Sequence, residues 1–221
     1  MNTLKNNPLC RIAILTGLIC SGVVSLHADE VVKIPDNAPC YYIDPVYGHD
    51  DNDGSLTMPW QSFRNVIAYY KEHYRPTGWV DLQPGDTLYL MDGIYSDIIY
   101  PGAWRIPPEE GGGGGHIAYF HGKHGDEERP FTIKAYPGHH PVFNPQFGGT
   151  GLKIVQSSFW DVSGIEIINA YQVGLKVTET DHVKIHKVHI HDTDGVDNNN
   201  LAHAQTWVDM QVRSLKLKKR P

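Results

Sequence analysis

From Gly151 onward the chain alternates between apolar and polar residues in two copies of one unit. Residues 151–173 read GLKIVQSSFWDVSGIEIINAYQV, and residues 174–194 read GLKVTETDHVKIHKVHIHDTD. Gly151 aligns with Gly174, Leu152 with Leu175, Lys153 with Lys176 and Ile154 with Val177. Farther along, Val162 aligns with Ile185, Ile165 with Val188, Ile167 with Ile190 and Asn169 with Asp192. A third copy opens at Gly195-Val196-Asp197. Strict alternation predicts short strands with one face inward. A unit of just over twenty residues cannot bury that face alone, so successive units must stack, as in a solenoid. The predicted fold is all-β, a single-stranded parallel β-helix of two to three coils, which leaves the chain truncated. Asn169 and Asp192, stacked at one turn, are expected to form a polar ladder to the backbone.

Upstream the pattern changes period. Trp60, Phe63, Val66, Ile67, Tyr70 and Tyr74 recur at three- and four-residue steps, with Pro59 at the start, which predicts a helix over 59–74. Before it, Tyr41 to Asp44 reads as a strand, and His49 to Ser55 as a turn in which Gly54 takes a positive φ. Asp51, Asn52 and Asp53 leave an Asx-turn and a calcium loop both open, although His49 and Trp60 stand where an EF-hand needs acidic ligands. Pro84-Gly85 is a turn, followed by a strand over Thr87 to Leu90. Residues 101–130, with glycine at every position from 111 to 115, read as one long loop carrying solvated histidines at 116, 121 and 124.

Composition adds compartment and charge. Lys5, Arg11 and the apolar run from Ile12 to Ile19, too short to span a bilayer, make residues 1–28 a cleaved signal peptide in the leading reading, with an uncleaved anchor and a lipoprotein signal ending at Cys20 as alternatives. Export is therefore expected, to the periplasm or beyond. Cys40 alone of three cysteines would remain, so no internal disulfide can form. Of 19 basic residues, two lie in the leader and five in the tail from Arg213, while all 25 acidic residues lie between. Such an acidic body excludes nucleic acid as a partner. The expected organisation is a leader at 1–28, a strand, turn and capping helix at 29–80, β-helix coils at 81–200 and a basic, non-repeat tail at 201–221.

The order Tyr-Tyr-Ile-Asp-Pro at 41–45, Asn-Asp-Gly-Ser at 52–55, Pro-Trp at 59–60, Pro-Gly-Asp-Thr-Leu-Tyr-Leu at 84–90, Phe-Thr-Ile-Lys-Ala-Tyr-Pro-Gly at 131–138 and the glycine-led coils resembles a known family. It is similar to the opening of the bacterial right-handed β-helix proteins of the pectate-lyase-like superfamily, nearest to polysaccharide lyase family nine and its uncharacterised relatives. The resemblance covers residues 41–198. It implies right-handed winding, a helix capping the N-terminal end, a groove on outward side chains, a lysine or arginine base and calcium. The implied partner is extracellular polysaccharide, met by a monomer. Family nine places its calcium aspartates on later coils, and residues 201–221 break the repeat here.

Strand alternation places Lys153, Lys176 and Asp197 in one outward column, with Val196 inward. That column suits a uronate carboxylate or calcium, and it equally suits a solvated face. Glu166 and His189 form a second column beside His186, His191 and Asp192, open to metal, acid–base or purely surface roles. The candidate catalytic residues are Lys176, Lys153 and His189, and the candidate calcium ligands are Asp197, Asp194 and Asp192. The leading reading is a polyuronate lyase acting by β-elimination, or its N-terminal portion. The alternatives are a glycoside hydrolase using the Asp192, Asp194 and Asp197 carboxylates, and a non-catalytic glycan-binding or adhesion module.

Overall fold

The structure, a computed structural model, describes residues 39–69, 72–99, 115–171, 173–193 and 206–212. The leader, Asp194, Val196, Asp197, most of the tail and the glycine run up to 114 lie outside the described residues.

The strands are β1 (Cys40–Ile43), β2 (Thr87–Leu90), β3 (Gly93–Tyr95), β4 (Gly115–His121), β5 (Phe131–Ala135), β6 (Pro141–Phe143), β7 (Gly149–Val155), β8 (Ser158–Ser163), β9 (Glu166–Ile168), β10 (Leu175–Thr178), β11 (Asp181–His191) and β12 (Thr206–Val212). β1 to β11 pair in parallel in three ladders, the arrangement of a parallel β-helix. One ladder runs β1-β2-β5-β8-β11, a second runs β3-β6-β9-β11, and the third runs β4-β7-β10. The long β11 belongs to the first two at once, because it continues around a corner. The first ladder has five layers, where the repeat alone gave two to three coils. The earlier layers escaped the repeat because long insertions separate their strands in sequence.

The register follows the repeat. Leu175 pairs with Leu152, Lys176 with Lys153 and Val177 with Ile154. Ile185 pairs with Val162, and Ile190 with Ile167. The corners keep the same step. Non-glycine residues with positive φ occur at Gln156 and Glu179, Phe159 and His182, and Asn169 and Asp192. Gly164 and Lys187 share another such corner, at φ 71 and 54. Each pair is one turn of the solenoid apart, so the backbone bends at the same places in successive layers.

The main core of the described residues is an apolar column from Tyr41 to Val188, with Tyr42, Tyr89 and Met91 in a smaller separate cluster. Trp60, Phe63, Phe120, Phe131, Phe143 and Trp160 fill the column, each at 2% exposure or less. Phe131 stacks on Trp160 with ring centroids 4.9 Å apart, one layer above the other. Stacking of like side chains across ~4.8 Å layers is what parallel in-register pairing imposes.

Two expectations need correction. The helix over 59–74 is absent from the described residues, which hold 3-10 turns at Phe63–Asn65 and Glu72–Tyr74. Trp60, Phe63, Val66 and Ile67 of the apolar stripe still point inward while Tyr74 is exposed, but other segments take the backbone groups that a helix would pair internally. Ala68 N–H donates to the Tyr119 carbonyl at 2.8 Å, and the Asn65 carbonyl accepts from Val80 N–H at 2.7 Å. The Ile67 carbonyl accepts from Trp79 Nε1–H at 2.9 Å. Tertiary pairing has overridden the helical period.

Second, the loop expected over 101–130 contains β4, with Ile117, Ala118 and Phe120 buried. His116, taken as a solvated loop histidine, is buried in that strand. Within the stretch read as a non-repeat tail, β12 pairs antiparallel with β11 and covers the edge of the last parallel layer. An unpaired edge there would be open to intermolecular strand addition.

The turn over 49–55 is held partly by its own backbone and partly by residues 59–62. Asp53 accepts from Ser55 N–H at 2.9 Å, Gly54 has φ 79, and Asn52 donates to the Pro59 carbonyl. Asp50 accepts from the amides of Gln61 and Ser62 and from the Ser62 hydroxyl. The Asp53–Ser55 bond is that of an Asx turn, whereas Asp50 ties the turn to residues 61 and 62.

Candidate functional site

The two candidate columns lie on different sheets. On the β4-β7-β10 sheet, Ala118, Phe120, Leu152 and Ile154 are fully buried. The residues between them therefore face outward. Tyr119, Lys153 and Lys176 fall in register across three layers. Lys153 Nζ lies 5.2 Å from the Tyr119 ring centroid, within cation–π range. Lys176 is exposed. At the corner beyond these strands a polar ladder continues the surface. His121 Nε2–H donates to Gln156 Oε1 at 2.8 Å, and Gln156 Nε2 donates to Glu179 Oε2 at 2.7 Å. Asp197, expected in the lysine column, lies outside the described residues.

The second cluster sits where β9 and β11 run side by side. Glu166 pairs directly with His189, and His191 with Ile168. Ile167 is buried, so Glu166 faces outward, and register puts His189 and His191 on the same side. The two imidazoles, two residues apart on one strand, have centroids 4.5 Å apart. Glu166 Oε1 accepts from His191 Nε2–H at 2.7 Å, and Asp192 Oδ2 accepts from His191 Nδ1–H at 2.7 Å. Glu166 Oε2 accepts from His140 Nε2–H at 2.5 Å. His140 is held from behind, its amide donating to Asp92 Oδ1 at 2.5 Å.

Electrostatics follow from these bonds. The hydrogen bond from His191, reinforced by His140, holds the Glu166 carboxyl below its ordinary range against the opposing effect of burial. The same bond to Glu166, with Asp192 at the other nitrogen, pushes His191 above the ordinary imidazole value. His191 is 18% exposed and Glu166 22%, so solvent reaches the pair without dominating it.

Of the six residues expected from sequence, Lys153 and Lys176 stand together, His189 lies on the other sheet, and Asp192 is hydrogen-bonded to His191. Asp194 and Asp197 lie outside the described residues. His186, grouped by sequence with His191, pairs instead with Asp161 at 3.0 Å. His140 was missed because it lies in the turn before β6. Its only signal was the shared ladder, since Val142, two residues on, pairs with Glu166.

Among the described residues, one group of three side chains offers metal-ligating atoms within 4.8 Å of one another: Glu166, His189 and His191. Calcium takes six to eight oxygen ligands. Two imidazoles and one carboxylate do not fit calcium.

No family model matches the chain, and no curated protein matches it in sequence. Among solved structures, pectate lyase Pel9A is similar over 71% of this chain and 42% of its own, at 17% identity and TM-score 0.42. A rhamnogalacturonan lyase is similar over 67% and 36%, at 17% identity and TM-score 0.40. The GH136 lacto-N-biosidase from Eubacterium ramulus is similar over 67% and 27%, at 16% identity and TM-score 0.40. The chain spans less than half the length of each of these structures. No helix among the described residues is long and apolar enough to cross a membrane.

Proposed function

We propose that this is an exported protein that binds a polyuronate across the outward face of the β4-β7-β10 sheet and cleaves it by β-elimination. The coil winds right-handed, as the resemblance implies, and the leader is residues 1–28. One observation carries the reading, the in-register stacking of Lys153 on Lys176 above Tyr119. Two lysines on neighbouring strands, whose backbones run ~4.8 Å apart, form a cationic strip on an otherwise acidic body. The strip supplies the local attraction that an anionic glycan needs there. Tyr119 offers a ring face beside it for a pyranose.

In the reaction, the Lys176 amine removes the proton on the carbon next to the uronate carboxylate, and Lys153 holds that carboxylate. The electron pair forms a carbon–carbon double bond as the glycosidic oxygen departs with the remainder of the chain. Calcium takes no part in these steps, because the Glu166, His189 and His191 group does not suit it.

The test is incubation of the full chain with polygalacturonate, following ultraviolet absorbance of unsaturated product, alongside affinity electrophoresis in the same polymer. Retardation and absorbance in the native protein, both reduced at least tenfold in Lys176→Ala, are expected. Reducing ends released without absorbance would transfer the protein to the hydrolases. Retardation without turnover would leave a binding module. Migration indifferent to the polymer would refute the reading altogether.

A further inference from the structure

We propose that Glu166, His189 and His191 form a binding site for a divalent transition metal of the zinc class, with Asp192 as its supporting residue. The site lies on the β9-β11 sheet, away from the lysine strip, and stands whether or not the polyuronate reading does.

The geometry comes from strand pairing. Two histidines at alternate positions of β11 project from the same side of one strand, and a carboxylate projects from the paired position of the neighbouring strand. A strand holds alternate side chains parallel, so the donors converge without a loop to position them. Their ligating atoms lie within 4.8 Å of one another. Tetrahedral zinc, with Zn–N distances of ~2.1 Å, needs donors ~3.4 Å apart. Rotamer adjustments close that difference.

Donor chemistry selects the ion. Imidazole nitrogen suits zinc, copper, nickel and cobalt, while an oxygen-poor set is a weak calcium or magnesium site. Three protein ligands leave a fourth position for water or a substrate oxygen.

The surroundings match what such sites require. A ligating histidine usually gives its second ring N–H to a carboxylate, which fixes the tautomer and aims the other nitrogen. His191 already does this, with Nδ1–H on Asp192 Oδ2 at 2.7 Å and Nε2 directed at Glu166. The ion takes the place of the proton between His191 Nε2 and Glu166 Oε1, and that proton leaves to solvent. His140, on the other oxygen of Glu166, orients the carboxylate.

Isothermal titration of the full chain with zinc chloride, and with calcium chloride as comparison, tests this. Cobalt(II) added to the same protein reports coordination through its visible absorption. One equivalent of saturable zinc, no comparable calcium uptake and a tetrahedral cobalt spectrum are expected. His189→Gln and Glu166→Gln should weaken zinc at least a hundredfold. Asp192→Asn should weaken it about tenfold, as supporting residues typically do, and Lys176→Ala should leave it unchanged. If a variant fails to fold, histidine ring NMR shifts of the native protein on zinc addition decide instead, with His189 and His191 expected to move. No saturable zinc binding, binding unaltered in the folded His189→Gln variant, or NMR shifts confined to other histidines would overturn the site.

Discussion

Asp86 should make the protein less stable as pH rises, an unusual sign for a carboxylate. The residue closes the Gln83-Pro84-Gly85 turn and leads into β2, where it is 3% exposed. Its Oδ2 accepts from Gln83 N–H at 2.8 Å, while its buried Oδ1 has no hydrogen-bond partner. Burial pushes its carboxyl up to about 6 from 3.8, and the Gln83 bond and the Lys123 ammonium offset only part of that rise. A folded value above the unfolded one means that the folded state holds the proton more tightly. That contribution to stability is complete below about 3.8 and is lost as pH climbs through about 6. About two units at ~1.4 kcal/mol each gives a loss on the order of 3 kcal/mol. Asp86→Asn keeps an acceptor for Gln83 and cannot ionise. Urea unfolding of both proteins from pH 4 to pH 8 isolates the effect, because every other titrating group cancels in the difference. The variant should gain on the native protein by up to about 3 kcal/mol between the two ends, mostly between pH 4 and pH 6. Parallel stability curves, or a gap that opens toward acid, would refute the argument that a desolvated carboxylate caps this turn.

Trp160→Ala should cost ~3–5 kcal/mol in chemical denaturation, because it removes the ring between Phe120 and Phe131. Trp160→Phe should cost clearly less, since the buried Trp160 Nε1–H has no partner to lose. At the corner shared by Gly164 and Lys187, opposite substitutions should move melting temperature in opposite directions. Lys187→Gly relieves a left-handed lysine and should stabilise by ~0.5–1 kcal/mol, whereas Gly164→Ala places a Cβ 3.0 Å from that of Ala135 at φ 71 and should destabilise. Equal and like shifts would show that the corners are not equivalent.

Much of the architecture was legible because a parallel solenoid writes its layers into sequence one after another. Leu152 with Leu175 and Val162 with Ile185 could be aligned by eye since each coil repeats the same inward positions. Of the corners, the one at Asn169 and Asp192 was legible as a turn, whereas Gln156 and Phe159 carry no glycine to announce a left-handed backbone. The helix failed for a reason that single-segment reading cannot detect. Trp60, Phe63, Val66 and Ile67 do lie on one apolar face, but whether their backbone groups pair within the segment or with Tyr119 and Val80 depends on residues far along the chain. β4 was hidden by the glycine run before it, which looks like a linker until Gly149 is found packed against Gly115. A Cβ at 149 would stand 2.2 Å from the Gly115 carbonyl, so there glycine marks close layer contact.

The candidate site divides along the same line. Columns on one sheet follow from alternation and period, which is why Lys153 and Lys176 could be stacked from sequence. Relations across a corner, or between a turn and a strand, have no such period. His186 therefore went to the wrong neighbour, and His140 was not seen at all. Glu166 shows what the difference means chemically. Read as one outward carboxylate in a column, it is a surface residue. Set between His140 and His191, with His189 on the paired strand, it becomes the centre of a nitrogen-rich cluster suited to a different ion from the one expected. The two faces thus call for separate chemistry, a cationic strip that an anionic glycan would seek and a histidine–carboxylate group that a transition metal would seek. Because they lie on different sheets of one rigid coil, substitution in either should leave the other's ligand bound.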